Sequence, residues 1–223
     1  MLWPRGVGSN SSLAEGNNGR MIWFVIAVIV GVTLFFLAKR KKRPDLSVLP
    51  ERFVVFDLET TGLMPEIHEI IEIGAIRVNR DADIHDTFQA FIRPRKKIPK
   101  KITAITGITQ EMVGEEGDSL EIALRQFLDF VGELPLVSFN AEFDVAFLSN
   151  AVSQTQTGVA IKNPISCALK MARRAWPGRR SYRLVDLAKD GGLSADETHR
   201  ALGDCRRTLV VYAAAASTLG SAT

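Results

Sequence analysis

An uncharged run of eighteen residues, 21–38, constrains this chain most, because such a segment is incompatible with the surface of a water-soluble domain. It reads MIWFVIAVIVGVTLFFLA. As a helix it would be about 27 Å long, near the lower limit for crossing a hydrocarbon core. A buried core helix is disfavoured because the run is apolar on every face. A cleaved signal peptide usually has a shorter apolar region, of about 7–15 residues. We therefore predict an uncleaved transmembrane helix.

The charges that flank this helix predict its orientation. Five basic residues, Lys39–Arg43, follow it, and only Arg5 and Arg20 precede it. The positive-inside rule then places the N-terminus outside and residues 39–223 in the cytoplasm. Lys39–Arg43 can also contact anionic lipid headgroups.

The remaining chain divides into three further segments. We predict a disordered tail at residues 1–20, which are rich in Gly, Asn and Ser, and a basic juxtamembrane linker at 39–50. Residues 51–223 form the predicted folded domain. This domain carries 21 basic and 23 acidic residues, so the chain's net charge of +3 belongs to the N-terminal segment. Nucleic acid would therefore have to be held by local patches or by bound metal, because overall charge would not attract it.

Hydrophobic periodicity predicts an α/β domain. Three strands at hairpin spacing indicate an antiparallel meander, and a fourth strand follows a helical segment. The predicted strands are 52–58, 70–78, 87–92 and 134–139. The predicted helical segments are 100–113, 119–132, a helix from 141 with Asn140 as its cap, 165–175, 182–189 and 200–219. Strands with interspersed helices indicate a mixed sheet covered by helices.

Four carboxylates and one histidine occur in three short blocks of this domain. Asp57 and Glu59 end the first strand, Asp144 lies near the start of a helix, and His199 and Asp204 come late in the chain. Residues two apart on a strand point to the same face. Collected carboxylates are the ligands that Mg²⁺ and Mn²⁺ prefer, and histidine can accept a proton near neutral pH. Together the blocks indicate a phosphodiester-cleaving centre.

Each block taken alone has a simpler explanation. Asp57 and Glu59 could be solvated acids in a polar turn, Asp144 could complement a helix dipole, and His199 could be a surface histidine. A spacing of five would put His199 and Asp204 about 140° apart on one helix. A shared site therefore predicts that His199 lies on the loop that enters the last helix.

The combined blocks resemble the DEDD superfamily of 3′–5′ exonucleases, in its histidine branch, over residues 52–212. The segment Ile105-Thr106-Gly107-Ile108-Thr109 resembles the family's motif between the first two blocks. Arg200 stands where the tyrosine branch would carry Tyr, which favours the histidine branch. Thr106 and Phe139 replace histidines that are frequent in relatives of the polymerase proofreading type, and these departures leave the substrate preference open.

This resemblance implies a ribonuclease H-like mixed sheet, with an antiparallel meander plus parallel strands, flanked by helices. It also implies two divalent cations, Mg²⁺ or Mn²⁺. Asp57 would bridge the ions, Glu59 and Asp204 would complete the ligands of the first, and Asp144 would hold the second. His199 would deprotonate the attacking water, and the product would be a nucleoside 5′-monophosphate.

The implied substrate is the 3′ end of single-stranded DNA or RNA. By resemblance, Leu63 would wedge against the terminal base, while Thr106 and Asn140 would line the pocket. Two basic stretches, 93–101 and 170–183, could guide the strand or be solvated surface. With the predicted topology, we expect a single-pass protein of the bacterial inner membrane, with the catalytic domain in the cytoplasm.

Two other functions are compatible with the same blocks. One is a proofreading subunit associated with a polymerase, which a membrane tether and the absence of a long tail after the last predicted helix disfavour. The other is a non-catalytic nucleic-acid-binding module, which would have no need to keep all five residues. The sequence does not choose between DNA and RNA, and it leaves the oligomeric state open.

Overall fold

The structure is a computed structural model that describes residues 47–82, 85–155, 161–193 and 199–220. The chain divides into two units, 1–43 and 44–223, and every described residue belongs to the second. The predicted tail, the predicted transmembrane helix and most of the predicted linker lie outside the described residues. Among the helices of these described ranges, none combines the length and the apolar character needed to cross a membrane.

The domain is a five-stranded mixed sheet flanked by helices, which is a ribonuclease H-like fold. The strands are β1 (Arg52–Thr60), β2 (Ile70–Asn79), β3 (Asp86–Phe91), β4 (Leu136–Ser138) and β5 (Ile165–Cys167). The helices are α1 (Lys100–Thr106), α2 (Gln110–Glu115), α3 (Leu120–Val131), α4 (Ala141–Thr155), α5 (Ala168–Ala175), α6 (Leu184–Asp190) and α7 (Ala201–Gly220). The strand order is β3-β2-β1-β4-β5. As predicted, β1, β2 and β3 pair in antiparallel fashion, and β4 joins β1 in parallel.

One predicted helix is wrong at its start. Residues 165–175 were expected to be helical throughout, but Ile165–Cys167 form β5, which pairs in parallel with β4. The pairing joins Leu136 with Ile165 and Ser138 with Cys167. Three residues are too few to show a period in the sequence, so tertiary pairing decides their conformation.

The central strand β1 is apolar on both of its faces because helices cover both. Phe56 packs against Phe127 of α3, with ring centroids 5.8 Å apart. On the opposite face Phe53 packs against Tyr212 of α7, at 5.7 Å. Burying each such side chain contributes roughly 1.5–3 kcal/mol, and together they fix α3 and α7 on the sheet.

A glycine in β2 sets how closely α7 approaches the sheet. A Cβ atom on Gly74 would lie 2.6 Å from the carbonyl carbon of Ala201, so only glycine fits this contact. The thiol of Cys205 also donates to the Gly74 carbonyl oxygen, at 3.3 Å. Gly74 pairs with Asp57 in β1, so the first turn of α7 lies beside the end of β1 that carries the first acidic block.

Candidate active site

The first two carboxylates lie on one face of β1, near its C-terminal end. Asp57 pairs with Gly74, and Glu59 pairs with Glu72 of β2. Asp57 is half-buried, and Glu59 is buried. An acid at the end of a buried strand needs a compensating partner, so this pair can serve as ligands for a cation.

The third carboxylate, Asp144, reaches the same place from α4. It is 3% exposed and lies in the first turn of that helix. Ser138, the last residue of β4, donates its hydroxyl to Asp144 Oδ2 at 2.5 Å. Because β4 runs parallel to β1, their C-terminal ends lie side by side, and this brings Asp144 next to Asp57.

The third block brings His199 and Asp204 together. His199 lies two residues before α7, as predicted, and Asp204 lies buried in the first turn of that helix. His199 Nδ1 lies 3.1 Å from Asp204 Oδ2, and Arg207 Nη1 donates to Asp204 Oδ1 at 2.6 Å. The hydrogen bond with Asp204 raises the pKa of His199. The His199 backbone N–H donates to the carbonyl oxygen of Ile105, at 3.3 Å, which ties this loop to α1.

Three of the carboxyl groups, those of Asp57, Glu59 and Asp144, have raised pKa values. Burial, followed by the charges of Asp144 and Asp204, raises the pKa of Asp57 well above its usual value. Burial, then Asp204 and Glu72, raises the pKa of Glu59 to about 8. Burial also raises the pKa of Asp144 to about 7, although the Ser138 hydroxyl opposes this rise. Such a cluster is stable in its ionised form only when cations neutralise it.

The donor set fits a hard divalent cation. One ligand atom from each of Glu59, His199 and Asp204 lies within 4.8 Å of the other two. Asp57 and Asp144 line the same cleft as His199 and Asp204, a cleft of about 820 Å³. Exonucleases of this fold use divalent metal ions. The carboxylate oxygens meet the preference of Mg²⁺ and Mn²⁺.

The three predicted substrate contacts lie in different settings. Asn140 lines the cleft. Leu63 is 79% exposed on the loop between β1 and β2. Thr106 is buried, and its hydroxyl donates to the Ile102 carbonyl oxygen at 3.0 Å and accepts from the Ile108 N–H at 3.1 Å. The Thr106 hydroxyl thus contacts the backbone on both sides of the C-terminal end of α1. Its neighbours Ile105 and Gly107 line the cleft, and Thr106 is not among the lining residues.

Three residues of the site belong to no sequence motif and were not predicted. They are Glu72, Ser138 and Arg207. Glu72 could have been noticed, because an acid within the apolar run of β2 must find a partner when buried. Ser138 and Arg207 carry no such signal, since a serine that ends a strand and an arginine in a helix are common.

The sequence matches the exonuclease family described as RNase_T over residues 54–212. It is 36% identical to the DNA polymerase III epsilon subunit of Aquifex aeolicus over 167 residues, which cover 74% of this chain and 81% of that subunit. It is 39% identical to the PolC-type DNA polymerase III of Clostridium perfringens over 158 residues. That match covers 71% of this chain and only 11% of the polymerase, so the chain spans about a tenth of this relative.

Solved structures share the fold. Exonuclease X in complex with 5′ overhanging duplex DNA superposes with a TM-score of 0.60 at 28% identity, covering 75% of this chain and 93% of that one. The zinc-bound E. coli ExoI–ssDNA complex superposes with a TM-score of 0.61 at 20% identity, covering 71% of this chain and 39% of that one. The second likeness concerns the fold alone.

Proposed function

We propose, from the premise that this chain belongs to the exonuclease family, that it is a metal-dependent 3′–5′ exonuclease of the histidine branch. One observation carries the proposal. Four carboxylates from β1, α4 and α7 meet His199 in and beside a single cleft, and burial raises the pKa of three of them, Asp57, Glu59 and Asp144. The proposed reaction is hydrolysis of the terminal phosphodiester, with release of a nucleoside 5′-monophosphate.

The carboxylates are the proposed ligands of two Mg²⁺ or Mn²⁺ ions. Asp57 would bridge the two ions, because the charges of Asp144, Asp204 and Glu59 all act on its carboxyl group. Glu59 and Asp204 would complete the ligands of one ion, and Asp144 would hold the other. Bound ions of this kind lower the pKa of water and stabilise the attacking and leaving oxygens of a phosphoryl group. The Ser138 hydroxyl orients Asp144 for its role, as groups behind metal ligands commonly do.

His199 is the proposed general base. An ionised Asp204 carboxylate can only accept, so it favours the tautomer in which Nδ1 carries the proton. The second ring nitrogen, Nε2, then presents a lone pair that can take the proton of the attacking water. The side chain is 53% exposed, so water and substrate can reach it.

The proposed substrate is a single strand with a free 3′ end. Support comes from exonuclease X, which is 28% identical to this chain and whose structure is described as a complex with 5′ overhanging duplex DNA. On this chain, Asn140 would contact the terminal nucleotide, and exposed Leu63 would meet its base. α1 begins with the exposed residues Lys100 and Lys101 and reaches the cleft at Ile105, so these lysines would contact the phosphates further along the strand.

A second candidate function is proofreading in association with a polymerase. The observation in its favour is the 36% identity with an epsilon subunit over four-fifths of that subunit's length. The active site would be the same in both cases. Stable, stoichiometric co-purification with a replicative polymerase, accompanied by preferential removal of mismatched 3′ ends, would favour this candidate.

Strand polarity and substrate type test the main proposal. Matched DNA and RNA oligomers, labelled at either end, are incubated with Mg²⁺ and the full chain. A 5′ label should yield a ladder that shortens step by step, and a 3′ label should appear at once as mononucleotide. An inactive Asp144→Asn variant beside an active Asp129→Asn control would assign the activity to the cleft. The 3′–5′ assignment is wrong if the 5′-labelled end is released first, and a chain that binds but never cuts would be a binding module.

The membrane anchor predicted at 21–38 is a separate proposal. It rests on the uncharged sequence and its basic flank. By the positive-inside rule the catalytic domain would then lie in the cytoplasm, at a bacterial inner membrane. Fractionation of the full chain tests it independently of the nuclease activity.

A further inference from the structure

Glu72 of β2 and Arg200 form an ion pair beside the acidic cleft, and only the Glu72 side chain is fully buried. Arg200 Nη2 donates to Glu72 Oε1 at 3.0 Å, and Arg200 Nε lies 3.2 and 3.3 Å from the two carboxylate oxygens. Gln89 Nε2 also donates to Oε1, at 2.5 Å. These donors compensate the buried charge, so the pair can persist in the interior.

This pair holds the start of the helix that carries Asp204. The Asp204 N–H donates to the Arg200 carbonyl oxygen at 2.9 Å, so Arg200 occupies the capping position directly before the first residue of α7, Ala201. An arginine side chain has no acceptor with which to cap the free N–H groups of a helix. Glu72 supplies that acceptor from another strand, because its Oε2 accepts from the Ala201 N–H at 3.0 Å. The Glu72 carboxylate therefore caps the N-terminus of α7 from a different strand.

Two further contacts hold the same segment. The Arg200 guanidinium lies over the ring of Phe91 in β3, 5.2 Å from its centroid. Two residues beyond Glu72, Gly74 meets the backbone of Ala201. Residues two apart on β2 share a face, so Glu72 and Gly74 together determine where the first turn of α7 lies on the sheet.

His199 directly precedes Arg200 in the sequence, and Asp204 follows Arg200 by four residues. We propose that Glu72 and Arg200, termed here the Glu72–Arg200 clasp, are positioning residues that hold the His199 imidazole and the Asp204 carboxylate in their reactive arrangement. This proposal rests on the proposed exonuclease function. It assigns to β2, which carries no catalytic residue, the task of placing the base.

Two variants that each remove one charge of the pair test the clasp in the full chain at saturating Mg²⁺. Glu72→Gln and Arg200→Gln should each lower kcat by roughly ten- to a hundred-fold, because small displacements of a catalytic group are costly. KM should stay within about twofold, because neither residue lines the cleft that binds the strand. The double variant should lose no more than the worse single variant, since the two residues act as one unit.

Arg77→Gln is a matched control. Arg77 lies on the same strand, pairs with Asp86 at 3.3 Å and lies over the ring of Phe130 at 4.4 Å. Like Arg200, Arg77 combines an ion pair with a contact to an aromatic ring. It lies five residues along β2 from Glu72, a distance of about 17 Å. This variant should keep the kcat of the unaltered protein. A clasp that only stabilised the fold would lower the melting temperature of its variants and leave the kcat of the folded protein unchanged, and that result would overturn the proposal.

A readout that needs no turnover separates this proposal from the proposed function. Histidine-selective ¹⁵N spectra, with the His199 signal identified through His199→Ala, report the Nδ1 contact with Asp204. In Arg200→Gln the signal should shift or broaden, and in Arg77→Gln it should not. An unaltered chain without nuclease activity would refute the proposed function, whatever the spectra show. Active clasp variants with an unchanged His199 signal would refute the clasp alone.

Discussion

Removing the negative charge of Glu59 should stabilise the metal-free protein at pH 8. Burial and neighbouring carboxylates raise the pKa of Glu59 from 4.5 to about 8. Between these two values the unfolded chain releases this proton while the folded chain keeps it, so stability falls as the pH rises through that interval. The full difference in pKa corresponds to a free energy of about 5 kcal/mol, as an upper bound. Asp144 and His199 also have raised pKa values and act in the same direction.

Urea denaturation of the full chain in the presence of a chelator measures this effect. The unfolding is monitored by circular dichroism at pH values from 5 to 8. The unaltered protein should lose free energy of unfolding as the pH rises, and Glu59→Gln should lose markedly less. Mg²⁺ should restore stability in the unaltered protein at pH 8, because the ion binds only the folded state. Glu121→Gln, on the exposed side of α3, is the control and should follow the unaltered protein.

Two outcomes would refute this reasoning. In one, the metal-free protein becomes more stable from pH 5 to pH 8, which would mean that the carboxylates are already compensated without a cation. In the other, Glu59→Gln keeps the same pH dependence as the unaltered protein, which would mean that Glu59 is not buried among like charges.

Three other perturbations have defined outcomes. His199→Ala should lose roughly 10²–10⁴-fold in kcat, yet bind Mn²⁺ in calorimetry, whereas near-normal turnover at neutral pH would remove it as the base. Ser138→Ala deletes the hydroxyl that orients Asp144 and should weaken Mn²⁺ binding by roughly 10–100-fold, and unchanged affinity would mean that this hydrogen bond does not matter to the ligand. The full chain should fractionate with membranes and resist carbonate extraction, while residues 44–223 should be soluble and active. A reporter fused after Thr223 should give a cytoplasmic signal, and an external signal would overturn the predicted topology.

The sequence predicted the acidic centre because its residues sit in short, ordered blocks. Asp57 and Glu59 share a face by the period of a strand, and the spacing of His199 from Asp204 required a loop before α7. Both inferences depend on local geometry, which a sequence expresses directly. The antiparallel pairing of β1, β2 and β3 could be predicted for the same reason, since short connections separate these strands.

Long-range pairing could not be predicted in the same way. Glu72 and Arg200 are 128 residues apart, and no pattern in either segment identifies the other as its partner. The strand β5 is only three residues long and exists through its pairing with β4. The direction of the Thr106 side chain also depends on tertiary structure, because a one-residue rotation along α1 decides whether a residue faces the cleft or the core.

Mn²⁺ titration with activity followed in the same samples tests the two-metal centre most directly. Calorimetry on the metal-free full chain should detect two ions, and release of nucleoside 5′-monophosphates should rise as the second site fills. Asp57→Asn should abolish both signals while keeping its fold, because the proposed bridging ligand is lost. Turnover that persists in a chelator, or an Asp57→Asn variant that binds two ions as the unaltered protein does, would contradict the assignment of this cleft as a two-metal exonuclease site.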